Sequence, residues 1–307
     1  LHKAIRRQRQ MCIRDRYGVY FVIPFFLVFL AFSLFPIVYT FYLSVTNTKG
    51  FSGNMGDFVG LQNYVHIMGD SAFWQALWNT VRIWGVNFIF QMVLALFFAV
   101  VFTNVKFKLK GVGFFRTAMY MPNLLTAASI SILAATLFAY PTGPINQFLV
   151  QTGIIDETFN FFRSEAASSY IVSGIQTWMW YGNSILILMA GISGIDTSVY
   201  EAAMVDGSSS WNTFRYITIP LLKPILIYMM VTSLVGGLQL FDIPFMITDG
   251  RGAPNESLNT VSMLLYNHAF TGKNYYGYSA AISVVLFIII AFCSMLVYRS
   301  MTEKEEG

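Results

Sequence analysis

The chain has 307 residues, 56% of them hydrophobic and 11% charged, with a mean hydropathy of +0.58. A soluble domain carries about 25% charged residues, so this composition excludes an ordinary soluble fold and indicates an integral membrane protein, all-α, with one domain of packed helices. The net charge of +4 is no mark of nucleic-acid binding, because the basic residues gather in loops on one side of the apolar runs.

Residues 1–16 form a basic head with no short hydrophobic stretch leading to a small-residue cleavage site, so no cleaved signal peptide is expected. Six apolar runs follow, at 17–43, 76–102, 116–139, 170–192, 221–241 and 278–298. Each reaches the roughly 18 residues that a spanning helix needs. The first contains Pro24 and Pro36. Residues 44–75 and 140–169 are rich in Gly, Pro, Asn and aromatic side chains and are expected as ordered loops over the outer face. Phe73 to Trp78 is the stretch there suited to an interfacial helix, because aromatic rings favour the headgroup region. Cys12 and Cys293 lie at opposite ends of the sequence, in no disulfide or metal-type spacing.

Cytoplasmic loops carry the excess of Lys and Arg. Fourteen of the 19 basic residues fall on one side, in the head, at Lys106, Lys108, Lys110 and Arg116, at Arg215 and Lys223, and at Arg299 and Lys304. The other five are Lys49, Arg82, Arg163, Arg251 and Lys273. A polytopic protein with six transmembrane helices follows, with both termini, including the tail 301–307, in the cytoplasm.

Between the fourth and fifth runs, residues 193–224 include a polar, helix-forming stretch on that same side. Ser198-Val199-Tyr200-Glu201 has the capping-box spacing, in which the serine oxygen accepts from the N–H of Glu201 and the glutamate reaches back to Ser198. Gly207 suits the left-handed position that stops a helix, and Ser208 or Ser210 is expected to cap a second short helix through Trp211, Phe214 and Ile217. Pro220 and Pro224 bound the return into the membrane. Spacing alone reads equally as a capped connector or as a handle for a cytoplasmic partner.

Glu201-Ala202-Ala203, three residues, Gly207, then Ile219-Pro220 and Pro224 resemble the EAA loop of ABC-importer permeases. Phe241-Asp242, Thr248 to Pro254 and Tyr276 to Ser283 are similar to the sugar-type branch, and within it to the MalF-like partner. Arg251 and Ala253 interrupt the branch's usual paired glycines. The resemblance spans 17–300, the permease domain, and implies a bacterial plasma-membrane location. It implies that Glu201, Ala202, Ala203, Asp206, Gly207 and Pro220 belong to a coupling loop that docks on a cytoplasmic ATPase. The partners it implies are a second permease, two ATPase subunits, an extracytoplasmic solute-binding protein and membrane lipid, with no nucleic acid. The chain has no Gly-x-x-x-x-Gly-Lys-Ser/Thr phosphate loop, so it holds no cofactor of its own. ATP and magnesium belong on the partner ATPase, and this subunit is not an enzyme.

Polar residues inside spans are costly and tend to face the bundle interior or a water-filled cavity. Gln176, Trp180 and Asn183 share one helix face at i, i+4 and i+7, and Ser233, Gly237 and Phe241 share another, with Gln239 and Asp242 beside them. Thr126, Ser129, Leu133 and Thr136 form a milder stripe on the third run. A sugar needs amides and hydroxyls for its hydroxyl groups and an aromatic plate for its ring, so Gln176, Trp180, Asn183, Ser233, Gly237 and Phe241 are the candidate substrate path. The competing account is that the same residues are helix–helix glue. Asp242, near the outer end of the fifth run, reads chiefly as a solvated helix end.

A secondary transporter places carboxylates or histidines within its spans, and runs one to four and six have none at their centres. His2, His66 and His268 are too scattered for a metal or a nucleophile–base pair. A permease for amino acids, phosphate or polyamines remains the alternative within the family, against which the neutral, aromatic-rich path argues.

Overall fold

A computed structural model of the chain describes residues 20–50, 56–104, 109–272 and 274–302. The head 1–16, the first residues of the first expected span, Lys106, Lys108, Lys273 and most of the 301–307 tail lie outside the described residues. Among the described residues the regular structure is helical, with one isolated bridge between Thr46 and Phe58. The chain divides into two compact units, Leu1–Ile67 with His268–Val285 and Met68–Asn267 with Leu286–Gly307.

The first unit contains α1 (Tyr20–Ser44), whose most apolar 18-residue window has no buried residue. A π-helical stretch, Leu30–Leu34, precedes Pro36, where the missing proline N–H loosens the ladder. Leaving the membrane, the chain is tied down by α2 (Gln62–Gly69), where Asn63 Nδ2 donates to the carbonyls of Ser44 and Thr46 at 2.9 and 2.8 Å.

In chain order the further helices are α3 (Ser71–Thr103), α4 (Val112–Tyr120), α5 (Ala127–Leu137), α6 (Pro144–Gln151), α7 (Glu165–Ser193), α8 (Thr197–Val205), α9 (Lys223–Leu238), α10 (Asp242–Thr248), α11 (Val261–Phe270) and α12 (Tyr276–Thr302). Among the described residues, four helical stretches are long and apolar enough to cross a membrane: α1, α3, Lys223–Thr248 and α12. The number reaches six when two bent pairs, Val112–Leu124 with α5 and α7 with α8, each make one span.

Two expectations are corrected. Phe73 to Trp78 is not an interfacial helix but the opening of α3. Asp70 caps that helix by accepting from the N–H of Ala72 at 2.9 Å, and Phe73 and Ala76 are fully buried. The third run is not one rod either: it bends by 93°. Pro122 lacks the N–H a continuing helix needs, a 3₁₀ turn forms at Met121–Leu124, and Thr126 caps α5 by accepting from Ser129 N–H at 3.3 Å. Asn123 Nδ2 then fastens the bend to the Met179 carbonyl at 3.3 Å.

Within the second unit, α3 and α7 pack along much of their length. Arg82 Nη2 donates to Ser169 Oγ at 2.7 Å, and Ser173 Oγ to the Ile83 carbonyl at 3.1 Å. Thr177 Oγ1 donates to Asn87 Oδ1 at 3.2 Å, and Gln91 Nε2 to Ser184 Oγ at 2.7 Å. The numbers climb together on both helices, so α3 and α7 run parallel. Where these polar contacts end, an apolar cluster takes over, with Ala95 and Ala99 against Ile185, Leu188, Ile192 and Leu222.

Candidate functional site: a polar cavity and an exposed helical loop

Inside the second unit α3, α7 and α9 diverge around a cavity of about 350 Å³, with α10 and Ala127 of α5 completing its wall. That volume is within the usual range for a small-molecule site. Gln176, Trp180, Asn183, Ser233, Gly237 and Phe241 all line it. The side chains of Gln176 and Asn183, and of Gln239 beside them, make no hydrogen bond among the described residues. Their donors and acceptors therefore face the cavity uncommitted.

Ser233 and Gly237 have a second task. Trp84 Nε1 donates to Ser233 Oγ at 3.1 Å, and the indole occupies the space a Cβ on Gly237 would need. These two residues thus line the cavity and also join α9 to α3. Phe241, whose aromatic ring lines the cavity, stacks on Phe245 at 4.7 Å between ring centres and lies 5.2 Å from Tyr266, and these two rings hold it in place.

The cavity also contains Trp84, Asn87 and Gln91 of α3, which the sequence reading passed over. Their signal was present, since 84, 87 and 91 follow a 3.6-residue period within an apolar run. Asn87 and Gln91 spend hydrogen-bonding capacity on α7, so they fix the wall as well as line it. A second opening, of about 660 Å³, is bounded by Phe90, Phe98, Trp178 and Tyr181. Its lining is almost wholly apolar, which suits lipid.

The loop after α7 is a helix–turn–helix, capped differently from the expected scheme. Asp196, not Ser198, caps α8: its carboxylate accepts from the Ser198 N–H at 2.9 Å. That N–H is the donor Glu201 needs for a capping box, so the box does not form. The same bond, helped by the Ser198 hydroxyl, holds the Asp196 carboxyl below the usual carboxylate range. Gly207 is left-handed at φ +71°. The N–H of Ser208 reaches the Ala203 carbonyl at 2.9 Å and that of Gly207 reaches Met204 at 3.2 Å, a complete Schellman stop. Ser209, rather than Ser208 or Ser210, caps the next short helix by accepting from Asn212 N–H at 3.2 Å.

Glu201, Ala202, Asp206, Gly207 and Pro220 are exposed, and Ala203 is buried. The Tyr200 and Thr218 hydroxyls, 3.3 Å apart, fasten α8 to the returning chain. Glu201 makes no side-chain hydrogen bond among the described residues. The loop thus presents a carboxylate and a bare turn on a pinned framework.

A helical membrane protein with a polar cavity between its spans and a rigid loop at one end is built as a transport subunit. Residues 91–303 match the family model described as binding-protein-dependent transport system inner membrane component. The lactose transport system permease protein LacF of Rhizobium radiobacter is 33% identical over 95% of this chain and 96% of its own length. The arabinooligosaccharides transport system permease protein AraP of Bacillus subtilis is 30% identical, covering 94% and 89%. A chain of a bacterial alginate ABC transporter, in complex with an alginate pentasaccharide-bound periplasmic protein, shares the fold with a TM-score of 0.83. That match covers 97% of this chain and 98% of the other at 19% identity. This chain belongs to the binding-protein-dependent transport system inner membrane component family. It is a multi-pass plasma-membrane permease subunit of an importer.

Proposed function

We propose that this permease carries a sugar, or a related uncharged solute, through the cavity between α3, α7 and α9. The observation that carries the reading is the pairing of uncommitted amides at Gln176 and Asn183 with the exposed Trp180 and the Phe241 ring in one cavity. Amides match sugar hydroxyls, and rings match the apolar face of a pyranose. The relatives named for lactose and arabinooligosaccharides point the same way.

The 193–224 segment then serves as the coupling element on the cytoplasmic side. Glu201 and Gly207 are its docking positions, with Ala202, Ala203, Asp206 and Pro220 shaping the surface around them. ATP and magnesium act on two partner ATPases, whose closure moves the loop and, through it, α7 and α9. A second permease completes the path, and an extracytoplasmic binding protein delivers the solute.

Purification of the tagged chain from native membranes, with identification of what accompanies it, tests this. An ATPase and a second permease are expected to co-purify. Glu201→Lys is expected to cut coupled ATP hydrolysis by about tenfold or more, since reversing an interface charge costs at least a few kcal/mol. A chain that transports without ATP, or hydrolysis indifferent to Glu201→Lys, overturns the coupling assignment.

A further inference from the structure

Asp242 is the first residue of α10 and lines the cavity. Among the described lining residues it is the only Asp, Glu, Lys, Arg or His. Its side chain makes no hydrogen bond or ion pair with a described neighbour, and the residue is exposed. Gln176, Asn183 and Gln239, which line the same cavity, are neutral amides, which solvate a charge without cancelling it. A carboxylate so placed imposes its potential on the whole cavity, because low-dielectric walls focus the field. Among the described lining residues, a solute crossing here passes one unpaired negative charge and no positive one.

We propose that Asp242 is a charge filter that bars anionic saccharides, such as uronates and sulfonated sugars, while admitting neutral ones and favouring amino sugars. The proposal rests on the reading of this cavity as the solute path. Asp242 is the exposed helix end that its position in the fifth run suggested, and it also lines the same space as the six path candidates. A cavity built for anions would carry Arg or Lys, whose forked or point cations pair with carboxylate and sulfonate.

The test needs no knowledge of the natural solute. In the complete importer with its native cysteines replaced by serine, Asn183→Cys places one thiol on the cavity wall. Its modification rates are measured with a cationic trimethylammonioethyl and an anionic sulfonatoethyl methanethiosulfonate. Relative to a free thiol in solution, the cation is expected to be favoured by about tenfold, the scale of one charge at this range. Asp242→Asn abolishes the preference and Asp242→Glu keeps it. A ratio unchanged in Asp242→Asn overturns the filter, and so does a thiol that neither reagent reaches. The path reading is checked separately by trapping the ATPases with ATP and vanadate. If the rate of modification does not respond to trapping, the cavity is not the moving path, whatever its charge.

Discussion

Gly237 shows how one residue serves packing and path together. Trp84 stacks on Phe88 at 5.6 Å, donates to Ser233, and fills the room a Cβ on Gly237 would take. Glycine is thus the seat for an indole that forms part of the cavity wall. The sequence placed Ser233, Gly237 and Phe241 on one helix face, which the 3.6-residue period makes readable. It could not show that Trp84, far away in the chain, would lean on that face, because periodicity describes one helix and not its neighbour. Gly237→Val is expected to push the indole into the cavity and reduce import severalfold or more. Overpacking of this kind costs about 1–3 kcal/mol, so the chain should still assemble with its partners. Uptake measured beside the yield of assembled complex separates the two effects; normal uptake would show that the seat is not needed.

At the scale of helices, apolar length was legible and direction was not. Hydropathy sees 116–139 as one run because its apolar residues continue through Pro122. The backbone turns there by 93°. The bend lets α4 and the 3₁₀ turn lie against α7 at Gly182, where a Cβ would overlap the Met119 carbonyl. Backbone on one side and helix on the other leave nothing flexible to yield. Gly182→Val is therefore expected to destabilise by about 3 kcal/mol or more, the upper end of overpacking costs, and to lower the thermal midpoint of the assembled complex. Gly174 on the same helix meets nothing within 4 Å, so Gly174→Ala is the control and should leave the midpoint unchanged or slightly raised, since Ala favours the helix. Equal behaviour of the two variants would remove the close approach from the account. Capping was misread for a related reason: the Ser198–Glu201 spacing fits a capping box, but Asp196 reaches the same N–H from two residues earlier.

For the whole molecule, the parallel course of α3 and α7 decides more than hydropathy does. Two parallel spans require the chain between them to cross back, and within 104–164 the bent pair Val112–Leu124 with α5 is the stretch that passes the length and apolarity test. It follows that the end of α3, the end of α7 and the start of α9 share one face of the membrane, and Ala99, Ile192 and Leu222 do pack together there. Lys110, Arg116 and the 193–224 loop then lie on the same side, the one proposed above as cytoplasmic. α6, between α5 and α7, falls on the opposite side. In cells with the native cysteines replaced by serine, Gln151→Cys on exposed α6 should react with a membrane-impermeant maleimide from outside. Asp206→Cys should react only in inside-out vesicles. If both residues were labelled from one side, α7, the crossing between them, would not span the membrane, and the parallel course of α3 and α7 would not describe two spans.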